Sequence, residues 1–299
     1  MKVIPCKIIR IPDDLTSVTS YKPADEVNPS EAGMSREEVQ AIWARVEDLY
    51  RSGIHPAISF CLRRQGKVVL KRAIGHARGN GPDDTPNTEK ILATPDTPLC
   101  LFSVSKAVTA MLIHLLDERG QIHLMDPVGH YIPEFVASGK ENITIHHILY
   151  HRGGIPIPPR NIDPEMIFNH DEIVQLLCKA KPVSPGGRRT AYHAITGGFI
   201  LGEIVRRVTG KDIREFMRES VQSPLGLHYF NFGVPEKDTN RVAINYYTGI
   251  PLMFPLTTII RRAIGASWED AVRISNDLRF LQVIIPSVNL FSTADEVSR

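Results

Sequence analysis

Ser103-Val104-Ser105-Lys106 places a hydroxyl and an amine three residues apart at the start of an apolar segment. On a helix, residues three apart share a face, so the Lys106 amine can lie beside the Ser103 hydroxyl. A serine hydroxyl is a poor nucleophile at neutral pH until a neighbouring base takes its proton. A lysine drawn out of water gives up its own proton more readily and can help. A helix N-terminus adds backbone N–H groups and the positive end of a dipole, both suited to a developing oxyanion. Taken alone, the four residues are a weak signal and describe more readily a helix-capping serine followed by a solvated lysine. Ser105 is a rival hydroxyl, but only Ser103 has the three-residue spacing to Lys106.

Elements to position this pair can be read on both sides of it. Ser35 with Glu38 forms a capping-box pattern, and Val39, Ile42, Trp43, Val46, Leu49 and Tyr50 repeat at helical spacing as far as Gly53. Ala57–Leu62 and Lys67–Ala73, joined through Arg64-Gln65-Gly66, predict a β-hairpin. Four prolines from Arg78 to Pro98 inclusive (Pro82, Pro86, Pro95 and Pro98) predict a loop. From Ser103 onward the pattern is helical: Val104–Arg119, Thr144–Tyr150, Asp171–Lys179, His193–Val208, Asp212–Glu219 and Trp268–Phe280. The expected organisation is an N-terminal extension over 1–33, an α/β domain from 34–100 and 286–299, and a mainly helical domain over 101–285 carrying the active-site helix.

The 299 residues contain 42% hydrophobic and 23% charged side chains, which excludes wholesale disorder. Thirty-five basic against thirty-three acidic residues leave a net charge of +2, too little for a nucleic-acid binder. Apolar stretches such as Ile250–Ile260 are too short and too interrupted to span a bilayer, and residues 1–14 have no signal-peptide pattern, so a cytoplasmic protein is expected. Cys6, Cys61, Cys100 and Cys178 are far apart and read as reduced thiols. His147 and His151 lie four apart with His146 adjacent, yet no H-E-x-x-H or neighbouring carboxylate pair makes them a metal site. Gly197-Gly198 lacks the frame of a phosphate loop and reads as close helix packing.

Blocks around the serine extend the reading. Leu101-Phe102-Ser103-Val104-Ser105-Lys106, Leu115-Leu116-Asp117-Glu118-Arg119-Gly120 and Leu124-Met125-Asp126-Pro127-Val128 are followed by Ile143–Ile155 and Pro185-Gly186-Gly187. Tyr192–Glu203, Val208-Thr209-Gly210, Pro224-Leu225-Gly226-Leu227 and Asn289–Ala294 come next, in order. Together they resemble the serine β-lactamase and penicillin-binding-protein superfamily, especially its class C-like branch with the family VIII carboxylesterases. The resemblance covers about Ser35 to Arg299. It implies a class C β-lactamase/transpeptidase-like fold: an α/β layer plus an all-helical domain, with an antiparallel sheet flanked by helices. The superfamily's third motif and last strands fall beyond Arg299, so the chain is expected to be cut short.

The resemblance also implies the chemistry. Tyr192 matches the tyrosine that opens the second motif. Ser103 would attack a carbonyl and form an acyl-enzyme, with Lys106 and Tyr192 together as the base and no metal or organic cofactor. Ala194 stands where the family's Y-x-N has an amide, which favours esters over acylamino substrates. His193, next to the tyrosine, is expected either at the cleft rim, binding substrate, or as a helix cap. The apolar run from Tyr246 to Leu256, broken by Pro251 and Pro255, is read either as core or as an acyl-binding wall or membrane-touching flap in which Phe254 binds substrate. The expected function is a carboxylesterase acting on a small-molecule ester. A β-lactamase or D-amino-acid peptidase on the same scaffold, and a truncated relative that only binds, are the alternatives. The oligomeric state is left open.

Overall fold

Two units, each with its own core, make up the computed structural model, which describes residues 6–157, 164–184 and 186–299. The first draws on Met1–Leu99, Asn240–Met253 and Ser292–Arg299. Its centre is an antiparallel sheet in which β1 (Thr19–Tyr21) and β2 (Ala57–Arg64) flank β3 (Lys67–Arg78), with β4 (Ile91–Leu92) also paired to β3. Between β1 and β2 runs α1 (Arg36–Arg51). Its capping box is formed, with the Glu38 N–H donating to Ser35 Oγ at 3.1 Å and the Ser35 N–H to the Glu38 carboxylate at 2.7 Å. Trp43, Val46 and Tyr50 then bury the apolar stripe of α1 against Val69, Leu70 and Ile74 of β3.

Two expectations change here. The first thirty-three residues are not a loose extension, because Ile9, Leu15, Val18 and Ala32 enter this core and Thr19 pairs with Ile74. A three-residue strand is too short to show a period, which is why the sequence hid it. Residues 240–253 also belong to this unit rather than to the helical domain: the Ile244 N–H donates to the Ala77 carbonyl at 2.9 Å, and the Gly79 N–H to the Tyr246 hydroxyl at 2.9 Å.

The second unit comprises Cys100–Thr239 and Phe254–Phe291. After β5 (Leu99–Cys100) come α2 (Val104–Glu118), α3 (Val128–Tyr131), α4 (Ile145–Leu149), α5 (His170–Lys179), α6 (Thr196–Thr209) and α7 (Ile213–Met217). β6 (Asn231–Phe232), α8 (Leu256–Ile264), α9 (Trp268–Ser275), α10 (Leu278–Gln282) and β7 (Leu290–Ser292) follow. β7 lies between β5 and β6, with Asn231 opposite Phe291. Leu112, Ile113 and Leu116 of α2 are fully buried, as are Phe199, Ile200 and Ile204 of α6. Where α6 passes the 286–287 turn, a Cβ on Gly198 would stand 2.2 Å from Ser287 Oγ, so only glycine fits.

The helix expected over Trp268–Phe280 is two helices. Asp277 Oδ1 accepts the Arg279 N–H at 2.9 Å and caps α10, overriding the continuous apolar period. The helix expected from His193 begins at Thr196, and residues 256–264 form a helix between the prolines and Gly265. Charge in this unit is buried with partners. Glu203, fully enclosed, binds Arg206 Nε at 2.7 Å, Arg207 Nε at 2.6 Å and His170 Nε2 at 3.2 Å. Burial opposes its ionisation, but these partners outweigh that and hold its carboxyl down at about 2. Lys140 is wholly buried, its Nζ donating to the carbonyls of Ala137, Cys178 and Ala180 at 2.7, 2.8 and 2.6 Å. Finally α11 (Ala294–Val297) belongs to the first unit, where Arg63 of β2 pairs with Asp295 and donates to Ser298 Oγ.

Candidate active site

Ser103 is the residue immediately before α2, and its side chain takes no part in capping the helix. The hydroxyl is therefore free for other partners. Phe102, before it, has φ +43, a left-handed backbone unusual for an aromatic residue. Ser105 holds this turn: its Oγ donates to the Phe102 carbonyl and accepts the Leu290 N–H at 2.9 Å. Ser105 is fully buried, which removes it as a nucleophile and gives it the role of fastening the strained turn to β7.

One turn into α2, Lys106 Nζ lies 3.1 Å from Ser103 Oγ and 2.9 Å from the Ser287 carbonyl oxygen. Among the described residues no carboxylate pairs with it. Burial pushes its amine below the usual lysine range, against an opposing contribution from the Tyr192 hydroxyl. The Ser287 carbonyl is itself held in place, because Ser287 Oγ donates to the Ile195 carbonyl at 2.8 Å and accepts the Gly198 N–H at 3.1 Å. Thr109 Oγ1 anchors the preceding carbonyl, that of Pro286, at 2.7 Å. Tyr192 completes the cluster: its hydroxyl donates to Ser103 Oγ at 2.9 Å, and its ring centroid is 5.0 Å from Lys106 Nζ. Ser103 and Tyr192 are both exposed, so the cluster opens to solvent.

Ser103 Oγ is thus touched by an amine that pairs with no carboxylate among the described residues and by a phenol, at the head of a long helix. The beta-lactamase family profile matches residues 42–299. The chain belongs to the beta-lactamase family. This family member is 35% identical over 149 residues to esterase/beta-lactamase LipL of Mycobacterium tuberculosis, a match covering 50% of this chain and 34% of that protein. It is 28% identical over 255 residues to esterase EstB of Burkholderia gladioli, covering 79% of this chain and 62% of EstB. The chain thus spans less than two thirds of the length of either relative. A solved penicillin-binding protein homolog from Caulobacter crescentus superposes with a TM-score of 0.70 at 29% identity, covering 83% of this chain and 64% of that one. Family VIII carboxylesterases and class C beta-lactamases share the same fold of antiparallel sheets with many helices.

Within the beta-lactamase-family site the sequence-derived residues fare differently. Ser103, Lys106 and Tyr192 come together. His193 does not line the cleft rim. It is 1% exposed, its Nδ1–H donates to the Ala191 carbonyl at 2.7 Å, and its Nε2 accepts the Ile155 N–H at 3.3 Å. One ring nitrogen donating and the other accepting describes a neutral imidazole, and burial pushes its pKa down to about 4. Phe254 is 83% exposed at the turn into α8 and takes no part in the Ser103–Lys106–Tyr192 set. Ala194 is buried, and Pro185 lies outside the described residues. His147 accepts the Thr144 N–H at Nδ1 and caps α4, and no cluster of three or more metal-ligating side chains occurs among the described residues. The residue missed at the sequence level is Ser287, whose contribution is a backbone carbonyl, while Ser105, weighed there only as a rival hydroxyl, has a role that depends on β7.

Proposed function

We propose that the chain is a serine hydrolase that forms an acyl-enzyme on Ser103 and acts as a carboxylesterase. The observation that carries this reading is the pair of contacts on Ser103 Oγ, Lys106 Nζ at 3.1 Å and Tyr192 OH at 2.9 Å, with the amine already pushed toward its neutral form by burial. As Oγ attacks the ester carbonyl, its proton passes to the Lys106–Tyr192 pair, and the carbonyl becomes a tetrahedral oxyanion facing the N-terminal N–H groups of α2. Collapse breaks the bond to the leaving alkoxide, which takes the proton back from the pair. A water then attacks the acyl carbonyl, giving its proton to the same pair, and the second collapse returns that proton to Ser103 Oγ and releases the acid.

Ester specificity is supported by Ala194 in place of an amide and by the esterases among the relatives. The likeness to a penicillin-binding protein homolog supports a second reading, hydrolysis of β-lactams or D-amino-acid peptides. A fluorophosphonate probe followed by intact mass tests the core of both. The unsubstituted chain should gain one phosphonyl group with loss of fluoride, and Ser103→Ala should gain none. A folded chain that stays unlabelled, or equal labelling of both, overturns the assignment, and the binding-only reading then takes its place. Given labelling, turnover of p-nitrophenyl esters but not of a chromogenic cephalosporin selects the esterase.

A further inference from the structure

The segment after α4 contains a histidine that none of the steps above uses. His151 has a left-handed backbone, φ +57, and it holds the chain on both sides of Tyr192. The Ala191 N–H donates to the His151 carbonyl oxygen at 2.9 Å. The His193 N–H donates to Nδ1 of the His151 ring at 3.1 Å. The same ring lies 4.8 Å from the Tyr192 ring and stacks on the His193 ring at 5.8 Å and 22°. The residues before and after the tyrosine therefore direct their N–H groups at one residue. A non-glycine residue in a left-handed conformation is disfavoured and persists where its surroundings over-determine it.

We propose that His151 is a positioning residue for Tyr192: by accepting the N–H on either side of the tyrosine, at its carbonyl oxygen and at Nδ1, it holds the phenol on Ser103 Oγ. The inference rests on the reading of Ser103, Lys106 and Tyr192 as the reacting set. An imidazole accepts at Nδ1 only when that nitrogen carries no proton. Burial, and then the nearby Lys106 charge, hold the His151 ring below the ordinary imidazole range and so favour the neutral ring, and the His193 N–H on Nδ1 leaves the ring proton on Nε2. Tyr192 lies between its two clamped neighbours, so loosening either bond lets the phenol move. A displacement of about 1 Å at a reacting group costs on the order of 10²-fold in rate.

Three variants separate this role from the others open to a histidine. His151→Asn carries an amide oxygen where the ring has Nδ1, and asparagine tolerates the left-handed backbone. His151→Gln reaches the Nε2 position but offers no acceptor at Nδ1. His151→Gly accepts the backbone conformation and removes the side chain. The expected result is that His151→Asn is labelled by the fluorophosphonate within about threefold of the unsubstituted rate, while His151→Gln and His151→Gly are slower by on the order of 10²-fold. The His193 amide should exchange its hydrogen faster in the two slow variants than in His151→Asn. Equal rates for His151→Asn and His151→Gln, or full activity in His151→Gly, overturn the proposal. If the unsubstituted chain is not labelled at all, the functional reading fails, while amide exchange at His193 still decides whether Nδ1 forms the clamp. If His151→Gln does not fold, the comparison of His151→Gly with His151→Asn carries the result.

Discussion

Lys106 and Lys140 are both drawn out of water in the helical unit, and neither is paired with a carboxylate among the described residues. Lys140 directs its three N–H bonds at three backbone carbonyl oxygens, all within 2.8 Å. Every donor is spent, the acceptors cannot titrate, and the ammonium can do nothing but hold the chain together. Lys106 has one backbone carbonyl, Ser287 O, and otherwise faces two hydroxyls, those of Ser103 and Tyr192. Its partners can exchange protons with it. Burial disfavours the charge on both amines; what separates structure from chemistry is whether the groups that answer the charge are fixed dipoles or acids.

That contrast is broken most directly by exchanging the consequences. Lys106→Ala should lower kcat/KM for a p-nitrophenyl ester by on the order of 10³-fold, with the urea midpoint little changed. An unaltered rate would make Lys106 a second Lys140. Its pH profile sharpens the point: because burial lowers the amine's proton affinity, acylation should rise with pH along a limb below the usual lysine range, and Lys106→Arg should abolish that limb. Lys140→Met should leave the rate of the folded fraction unchanged but strand three buried carbonyls, at a cost of about 3 kcal/mol in urea unfolding. Loss of rate without loss of stability would reverse the assignment.

His193 extends the comparison to a neutral group. Folded, it resists protonation down to about pH 4; unfolded, it takes a proton near about 6.5. Between those values the unfolded chain binds more protons, so the stability His193 contributes is complete above about pH 6.5 and falls by up to about 3 kcal/mol as pH approaches 4. Urea midpoints at pH 7 and pH 4.5 should fall more steeply for the unsubstituted chain than for His193→Gln, whose remaining slope comes from the other histidines that burial holds low, among them His76 and His151. Equal slopes would mean that the imidazole is not the buried neutral ring seen here. The smallest effect is expected at Phe254. If it is part of an acyl-binding wall, Phe254→Asp should raise KM for long-chain esters roughly fivefold, about 1 kcal/mol, and leave short-chain esters nearly unchanged. Equal changes for both would leave it a structural residue.

Much of the site was legible because its first part is local. Ser103 and Lys106 meet through one turn of helix, and helical periodicity in Leu112, Leu115 and Leu116 announces that helix. Tyr192 was reached only through resemblance, since its contact with Ser103 closes over 89 residues and no periodicity reports such a distance. The Ser287 carbonyl was not legible at all: it lies 181 residues from Lys106, and a backbone oxygen has no residue type to betray it. The N-terminal segment hid for a different reason, a strand too short for any pattern, and the break at Asp277 because an apolar period spoke louder than a capping side chain.

By itself, then, the sequence determined that Ser103 and Lys106 could meet, the helix that carries Lys106, and the capped start of α1. These depend on interactions within a few residues, where chain geometry leaves little choice. The tertiary structure alone decided that Ser105 is a bolt and Ser103 the free hydroxyl, that His193 is buried while its neighbour Tyr192 faces solvent, and that Lys106 rather than Lys140 meets an exposed side-chain hydroxyl. Each of those outcomes turns on which distant backbone dipoles arrive beside a side chain, and only the packed fold brings them there.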